Sequence, residues 1–390
     1  MPRPRTLVVI VSFVALASLI YCCYCCCYYL HHHTNHAGLT PSIQPPISSL
    51  NSANSTLGFG TILAVSPDHS PRRPSLLWAA NLTDLDIVIP DLPNWGVADV
   101  EAFKAKNGQS TISIGSAKAW LGHLQILNNF LASDHETALV IEDDTDFDIQ
   151  IRHSQIPRLA AALRSLLGSQ GNDYWPPLST WDLLYPGHCD DAPSIAYLSH
   201  PYSTYTDPSV PLHPQMHPDT SNFLLSLNVP SQTRFLHRAF WPFCTFAYAV
   251  NKRSAALIVN TFAAEPEGGG SAFDVALLSA CRDLEWTCWS VAPEMFHHRQ
   301  GVSEIEREDD MHVGVQGDIG GGERSSRGTW NLACGARHDQ LWVDEGEGDM
   351  RGRIKALVRR AIAKGECPVD ALREDEVWKG CEWGECLAQS

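Results

Sequence analysis

The stretch Thr137-Ala138-Leu139-Val140-Ile141-Glu142-Asp143-Asp144 joins an apolar run directly to three consecutive carboxylates. Such a run is typical of a strand that is buried on both faces of a helix-covered sheet. Adjacent carboxylates repel one another unless a cation neutralises them, and oxygen ligands suit Mn²⁺ or Mg²⁺. A divalent ion can bridge two phosphates of a nucleotide. The sequence therefore predicts a metal and diphosphate site here, with a solvated acidic turn as the alternative.

Similar apolar runs occur on both sides of this stretch and alternate with helical patterns. Strands are predicted at 61–66, 86–90, 137–142, 181–185 and 287–293, and helices at about 73–82, 117–131 and 156–167. The alternation predicts an α/β fold with a mainly parallel central sheet covered on both faces. Ser116 is the predicted cap of the second helix. Because such sheets bind ligands beyond the carboxyl ends of their strands, polar residues that follow strands are the candidates for a site.

Composition and charge exclude several classes of protein. The chain has 390 residues, of which 44% are hydrophobic and 18% are charged, so it can bury a core and is not intrinsically disordered. Its formal net charge of −16 argues against nucleic-acid binding through phosphate neutralisation. The motifs of dinucleotide-binding proteins, P-loop proteins, serine hydrolases and zincin proteases do not occur in the sequence.

The N-terminus has the pattern of a membrane anchor. Residues 7–30 carry no formal charge and, as a helix, would span roughly 36 Å, enough to cross a bilayer core of about 30 Å. Arg3 and Arg5 precede this segment, so the positive-inside rule predicts a cytosolic tail at 1–6 and a lumenal body. We therefore expect a single-pass type II protein of the ER or Golgi. A signal peptide cleaved near Ala15-Leu16-Ala17 is the alternative.

The rest of the chain divides into three predicted parts. Residues 31–57 are rich in Ser and Pro and read as a stem, 58–345 as the main domain, and 346–390 as a tail with one helix and several cysteines. Two sequons, at Asn54 and Asn81, fit a lumenal location. Eight cysteines lie beyond the anchor, and in an oxidising compartment some of them should pair.

Further polar residues follow the other predicted strands. Arg72 and Arg73 come after the first strand and can bind a diphosphate, although two arginines on a turn can also be merely solvated. His188 follows the strand at 181–185 and can contact a phosphate or a sugar, or be a buried hydrogen-bonded histidine. Asp274 opens a helix, where it is either an N-terminal cap or the general base for an acceptor hydroxyl.

The candidate metal ligands are Asp144, Asp146 and His298. His298 ends a strand-like segment and can ligate the same ion as the acidic stretch, or pair with a buried acid. A calcium loop through Asp144, Asp146 and Asp148 is disfavoured, because Ile149 stands where an EF-hand loop needs glycine.

Six motifs occur in one order along the chain. They are Gly115-Ser116 with Leu121-Gly122-His123-Leu124, then ALVIEDD (138–144), WDLLYPGHC (181–189), CTFAYAV (244–250), FDVAL (273–277) and PEMFHH (293–298). Together they resemble glycosyltransferase family 25, which includes lipopolysaccharide and collagen galactosyltransferases, and they are most similar to its fungal members. The resemblance extends from about Phe59 to Trp342.

The resemblance implies a GT-A nucleotide-sugar-binding fold and an inverting enzyme. The implied donor is a UDP-sugar, often UDP-galactose, the implied cofactor is Mn²⁺ with Mg²⁺ as the alternative, and the implied acceptor is a glycan or glycoprotein. By the same resemblance, Glu142 and Asp143 join Arg72, Arg73 and His188 as donor-binding residues, and Asp144 matches the metal motif.

One departure from the family pattern supports a second hypothesis. Where the family has a segment like Pro-Glu-Arg-x-Asp-Arg-Arg, this chain has Ser66-Pro67-Asp68-His69-Ser70-Pro71-Arg72-Arg73, which lacks one arginine and one acid. The alternative function is therefore a lumenal binding protein that keeps the fold but has impaired catalysis.

Overall fold

A computed structural model of the chain describes residues 50–169, 173–189, 191–193, 198–299 and 329–369. The predicted anchor at 7–30 and most of the predicted stem lie outside these ranges, so the membrane topology stays a prediction. Within these ranges, no helix is both long enough and apolar enough to cross a bilayer.

The described residues fold into a mixed α/β structure. The strands are β1 (Thr61–Val65), β2 (Ile87–Val88), β3 (Thr137–Glu142), β4 (Thr145–Phe147), β5 (Leu183–Cys189), β6 (Ser203–Thr206), β7 (Thr233–Arg238), β8 (Phe243–Asn251), β9 (Cys288–Ala292) and β10 (Phe296–His298). The α-helices are α1 (Arg73–Thr83), α2 (Val97–Phe103), α3 (Ile114–Ala132), α4 (Ile156–Leu166), α5 (Pro218–Ser226), α6 (Lys252–Thr261), α7 (Phe273–Arg282) and α8 (Gly348–Lys364). Short helical turns lie at Ile151–Gln155, His213–Gln215 and Asp339–Leu341.

The strands form one ten-stranded sheet with the order β2-β1-β3-β8-β5-β9-β7-β6, and β10 joins it by pairing with β5 and β4. Seven strands share one direction, whereas β4, β7 and β8 run in the other. The prediction of an α/β fold with a mostly parallel sheet is therefore confirmed. The antiparallel strand β8 between β3 and β5 was not predicted. The middle of β8 lies beside the end of β3, because Ile141 pairs with Ala247.

Helices cover both faces of the sheet, as the alternation of strands and helices predicts. Along β3, Leu139 and Ile141 belong to the apolar core that includes residues of α1, α4 and α8. Ala138 and Val140 face the opposite core, which includes residues of α3, α6 and α7. This double burial explains why β3 is apolar from Ala138 to Ile141.

Helix α3 begins earlier than its sequence pattern indicates. Its N-cap is Ser113, whose hydroxyl accepts a hydrogen bond from the backbone N–H of Ser116 at 3.1 Å. The prediction that Ser116 caps this helix is therefore wrong by one turn. The cap lies outside the apolar periodicity, because Ile114 and Gly115 extend the helix before the first buried apolar side chain at Ala117.

Both predicted boundaries of the main domain also differ from the structure. Ala53 and Leu57 fall in the predicted stem, yet they are buried in the core, and the Ala53 N–H donates to the carbonyl of Arg152 at 2.9 Å. At the other end, Ile354 and Val358 of α8 pack into the same core. The folded body therefore starts before residue 58 and includes α8.

The six described cysteines form three disulfides, so the prediction that some of the cysteines beyond the anchor pair is confirmed. The disulfides are Cys189–Cys244, Cys281–Cys288 and Cys334–Cys367. The first joins the end of β5 to the start of β8, and the third ties the segment after α8 to the body. Cys381 and Cys386 lie outside the described residues.

Candidate functional site

The three carboxylates of the acidic turn, Glu142, Asp143 and Asp144, lie at the carboxyl edge of the sheet. Strand β1 runs parallel to β3 with Val65 opposite Glu142, so the segment after β1 meets the turn. Asp143 is only 4% exposed. Its Oδ2 accepts a hydrogen bond from the hydroxyl of Ser66 at 2.7 Å. The alternative of a solvated acidic turn is therefore wrong.

Asp144 carries the most perturbed carboxylate of the turn. Its Oδ2 lies 3.3 Å from Nη1 of Arg72, whereas its Oδ1 is buried with no hydrogen-bond partner among the described residues. Burial and then the charge of Glu142 raise the pKa of Asp144 to about 7, although Arg72 acts in the opposite sense. A cation beside Oδ1 would favour the ionised form.

Glu142 is held by groups on α3 and β8. Its Oε1 accepts a hydrogen bond from the Thr245 hydroxyl and lies 3.4 Å from Nε2 of His123. The other ring nitrogen of His123 is 3.1 Å from the hydroxyl of Tyr248, and its ring stacks on Phe273 at 4.7 Å. Burial alone would raise the pKa of Glu142, but the hydrogen bond and charge of His123 outweigh it and lower that pKa.

The acidic turn faces a cleft of about 330 Å³. Glu142 and Asp144 line it with 29% and 22% of their side chains exposed, so both can reach a ligand. One side of α3 forms a wall through residues spaced by three or four positions, namely Gly115, Lys118, Ala119, Gly122 and His123. The opposite walls come from the loops after β1 and before α2, through Pro67, Asp68, His69, Arg72, Leu92, Pro93, Asn94 and Trp95.

The two predicted diphosphate-binding arginines have different positions. Arg72 lines the cleft, and its Nη1 lies 3.3 Å from both Asp143 Oδ1 and Asp144 Oδ2. Arg73 instead braces the loop, because it donates to the hydroxyl and the carbonyl of Ser66 and pairs with Asp68. Arg72 therefore remains a candidate for donor binding, whereas the assignment of Arg73 to the donor is corrected to a role in the loop.

His188 is a buried structural residue, which corrects its assignment to the donor site. It is 1% exposed. One ring nitrogen lies 3.0 Å from the carbonyl of Val291, and the other accepts the N–H of Asp191 at 3.2 Å. With both nitrogens engaged inside the protein, the imidazole cannot also bind a phosphate in this arrangement.

Asp146 also lies apart from the cleft, and its assignment as a metal ligand is corrected. Its Oδ1 accepts backbone N–H groups of Phe147 and Arg337, and its Oδ2 accepts the hydroxyl of Thr329. The carboxylate of Asp148 likewise accepts hydrogen bonds from backbone N–H groups, those of Gln150 and Cys334. The calcium-loop alternative therefore lacks two of its three carboxylates.

Asp274 fastens α7 to β8. Its two oxygens accept the backbone N–H groups of Cys244 at 3.0 Å and Val275 at 2.8 Å. Burial raises the pKa of Asp274, and the charge of Glu142 adds to the shift. Asp274 is not among the residues that line the cleft. Its assignment as the catalytic base is therefore corrected to a structural role. The alternative of an N-terminal side-chain cap is also wrong, because Ala272 is the N-cap of α7.

Asp144 and His298 are the residues at the acidic turn whose buried donor atoms could hold a divalent ion, which would then need further ligands from a substrate. His298 lies opposite Thr145 in the β4–β10 pair, next to the acidic turn. It is not among the residues that line the cleft, but its Nδ1 is buried with no partner among the described residues. Burial and then the charge of His297 lower the pKa of His298 to about 4, so its imidazole is neutral, the form that binds metals. No group of three or more His, Cys, Asp or Glu side chains that could hold a metal ion occurs within the described ranges.

Arg337 is a supporting residue that the sequence motifs did not indicate. Its Nη1 donates to the carbonyls of Asp143 and Thr145, both at 2.7 Å, and its Nη2 donates to the hydroxyl of Ser75. Burial lowers the pKa of Arg337 to about 10, which leaves it charged at neutral pH. Arg337 thus holds the backbone of the acidic turn, whereas Arg72 contacts its carboxylates. Trp95 and Lys118 were also missed, because a single aromatic or basic residue in a loop or helix carries no motif.

Comparison with known proteins does not add an identification at this point. No protein-family model matches the chain, and no curated protein matches it either.

Proposed function

We propose that this protein is a glycosyltransferase that transfers a hexose, galactose in the first instance, from a UDP-sugar to a hydroxyl of a glycan or glycoprotein. The observation that carries the proposal is the acidic turn at the base of a cleft, where Asp144 has one unpartnered buried oxygen and a pKa raised to about 7. Such a carboxylate is stabilised in its ionised form by a cation, and a nucleotide diphosphate supplies the remaining oxygen ligands for one.

The walls of the cleft offer groups that suit a nucleotide diphosphate. Arg72 and Lys118 place positive charge on two of its sides, and the half-buried indole of Trp95 offers a face for a base. Aromatic faces bind bases by stacking, and guanidinium groups bind phosphates through paired hydrogen bonds. These groups support a nucleotide-sugar as donor.

Transfer of the sugar requires that the negative charge that develops on the departing diphosphate be neutralised. When bound, Mn²⁺ or Mg²⁺ would supply that positive charge beside the departing diphosphate. In this proposal Asp144 and His298 are its protein ligands. Asp143 keeps the turn in place through Ser66 and Arg72 and is not itself a ligand.

The acceptor hydroxyl must lose its proton as it attacks the anomeric carbon and the bond to the diphosphate breaks. We assign the base role to Glu142 rather than Asp274, because Glu142 lines the cleft and its lowered pKa keeps it ionised. Thr245 and His123 hold Oε1, which leaves Oε2 to accept the proton. Attack in line with the leaving group inverts the anomeric carbon.

One observation favours the alternative of a binding protein without catalysis. Arg72 already pairs with Asp143 and Asp144, and a guanidinium in that position can neutralise the turn without a metal ion. In that case the cleft would bind a ligand with no need for a divalent cation.

Residues 45–390, purified from a secretory host, provide the test. With Mn²⁺, at least one member of a panel of UDP-sugars should yield free UDP and a glycosylated acceptor, and chelation should abolish the reaction. Failure across the panel by folded protein would contradict the proposal, and sugar binding that is independent of UDP and metal would establish the alternative. Membrane anchorage and a lumenal ER or Golgi location are part of the same proposal.

A further inference from the structure

A second cavity, of about 380 Å³, shares no lining residue with the cleft and is connected to the acidic turn through Arg337, which donates to the carbonyl of Asp143. Its lining combines two indoles, two guanidinium groups and an imidazole with few other side chains: Ser75, Trp78, Arg299, Ala336, Arg337, His338, Asp339 and Trp342. Cavities of this size, with aromatic walls and a few polar groups, are typical of sites for small molecules. None of these residues lines the cleft described above.

The cavity contains a buried cation whose hydrogen-bond partners are neutral. Arg337 is 5% exposed. Its Nη atoms donate to carbonyl and hydroxyl oxygens, including those of Asp143 and Ser75, and its Nε has no hydrogen-bond partner among the described residues. A buried donor without an acceptor costs free energy, which an acceptor on a ligand would recover. A negatively charged acceptor forms the strongest such bond with a guanidinium.

Arg299 adds a second positive charge at the same cavity. Its Nη2 pairs with Asp339 at 2.7 Å, and its side chain is 26% exposed. Arg299 and Arg337 together outweigh the single carboxylate of Asp339 in the lining. Asp146, Asp144 and Asp143 also act on the charge of Arg337, so the charge balance alone does not select an anion. What favours an anion is the pair of guanidinium groups in the lining together with the buried Nε of Arg337, which has no acceptor among the described residues.

The aromatic groups suit a ring with apolar faces. Trp342 is 38% exposed, so its indole is available to a ligand. Trp78 is 4% exposed, with Arg351 packed over its ring and its Nε1 donating to the carbonyl of Leu341. Trp78 is thereby fixed in orientation and forms a rigid part of the wall. The C–H faces of a pyranose pack well on the electron-rich face of an indole.

We propose that this cavity binds a saccharide that carries a carboxylate or a phosphate group, with the anion at Arg299 and Arg337 and the sugar ring against Trp342. The choice of a saccharide among anions rests on the proposed function. Arg337 also donates hydrogen bonds to the carbonyls of Asp143 and Thr145. The side chain of Arg337 would therefore connect the bound anion to the acidic turn. The acceptor for sugar transfer would accordingly contain an acidic or phosphorylated sugar.

Calorimetry with the same 45–390 protein tests this site in phosphate-free buffer without UDP or metal. The probes are glucuronate, glucose 6-phosphate, inorganic phosphate and neutral glucose. Glucuronate or glucose 6-phosphate should bind at least about tenfold more tightly than glucose and inorganic phosphate, and the tighter of the two identifies the anion. Equal binding of glucose, equal binding of inorganic phosphate, or no binding of either acidic sugar would overturn the proposal.

Two variants locate the binding. Trp342→Leu and Arg299→Gln alter partly exposed side chains and should each weaken the acidic sugar about tenfold. Trp241→Leu is the matched control, since Trp241 is also 38% exposed but lies outside the cavity. Unchanged binding in both cavity variants would place the ligand elsewhere. UDP binding is measured in parallel, so that failure of the proposed transfer reaction is distinguished from failure of this site.

Discussion

Within the acidic turn, Asp144 is the side chain whose ionisation lowers the stability of the folded state most. Its pKa of about 7 exceeds the ordinary value for aspartate because of burial and the nearby charge of Glu142. An acid with a higher pKa in the folded than in the unfolded state binds the extra proton in the folded state. The free energy of unfolding therefore falls as the pH rises from about 4 to 7.

Asp144→Asn should remove this part of the pH dependence. At pH 8 without metal, we expect the variant to be more stable than the unaltered protein by roughly 1–4 kcal/mol, and at pH 4 we expect the two to be similar. Denaturant unfolding at both pH values measures the difference. Asp86→Asn, at an exposed carboxylate, is the control and should leave the slope unchanged. If the free energy of unfolding of Asp144→Asn kept the pH dependence of the unaltered protein, the ionised form of Asp144 would not be destabilised in the fold.

Glu142→Gln should separate catalysis from donor binding. Loss of a general base lowers turnover by roughly 10²–10⁴-fold, while the amide keeps the shape of the side chain. We therefore expect UDP affinity within about threefold of the unaltered protein, together with the loss of transfer to the acceptor. Glu101→Gln alters an exposed carboxylate on α2 and should change neither quantity. Normal turnover in Glu142→Gln would show that another residue is the general base.

For single residues, the sequence predicts local patterns well and distant partners poorly. The acidic turn is recognisable because a buried strand and its carboxylates are adjacent in the chain. Arg337 contacts the turn from almost 200 residues away, and no local pattern marks it. His188 and Asp274 show the converse error. Each lies within a motif of the sequence, but the polar atoms of its side chain form hydrogen bonds with backbone groups.

Among the elements, β5 shows how a tight approach of strands shapes the edge that bears the site. Gly187 lies between Ala247 of β8 and Phe296 of β10. A Cβ atom at Gly187 would lie 2.9 Å from the backbone nitrogen of Ala247 and 2.7 Å from Cβ of Phe296. Only glycine lets β10 approach β5 closely enough to bring His298 beside the acidic turn.

Gly187→Ala should therefore destabilise the protein, because neighbouring backbone cannot move aside as a flexible side chain would. We expect a loss of roughly 1–3 kcal/mol in the free energy of unfolding, measured by denaturant titration. Gly346→Ala is the matched control, since a Cβ there meets no atom within 4 Å, and its effect should stay within about 0.5 kcal/mol. A neutral Gly187→Ala would show that β10 is free to shift.

The elements that the sequence predicted are those with uniform burial. Strand β3 coincides with its prediction, since all its residues up to Ile141 are apolar or small and buried. Strand β8 is equally apolar, but nothing in its composition distinguishes an antiparallel insertion from another parallel strand. Its direction depends on the chain's route through α5 and β7, which local periodicity does not encode.

For the whole molecule, helix α8 belongs to the folded body although its sequence resembles a detachable basic tail. Ile354 and Val358 are at most 1% exposed, and Cys367 just beyond the helix is bonded to Cys334. The sequence analysis assigned α8 to a C-terminal tail because the apolar face of this helix is narrow among many charged residues. Its packing partners on α1 lie more than 250 residues earlier.

Truncation tests this boundary. A protein that ends at residue 345 should lose cooperative unfolding, because each buried aliphatic side chain contributes roughly 1.5–3 kcal/mol and the disulfide a further ~2–4 kcal/mol. A protein that ends at residue 369 retains both and should melt within a few degrees of the longer chain. Equal melting temperatures for the two truncations would show that α8 is dispensable.

The central claim is that the acidic turn and a divalent ion together hold a nucleotide diphosphate. Calorimetric titration of UDP into residues 45–390 tests it directly, with Mn²⁺ or with a chelator, and with Asp144→Asn beside the unaltered protein. We predict saturable 1:1 binding that requires Mn²⁺ and is lost in Asp144→Asn. Binding of equal strength under chelation, or no binding by folded protein in the presence of Mn²⁺, would contradict the account.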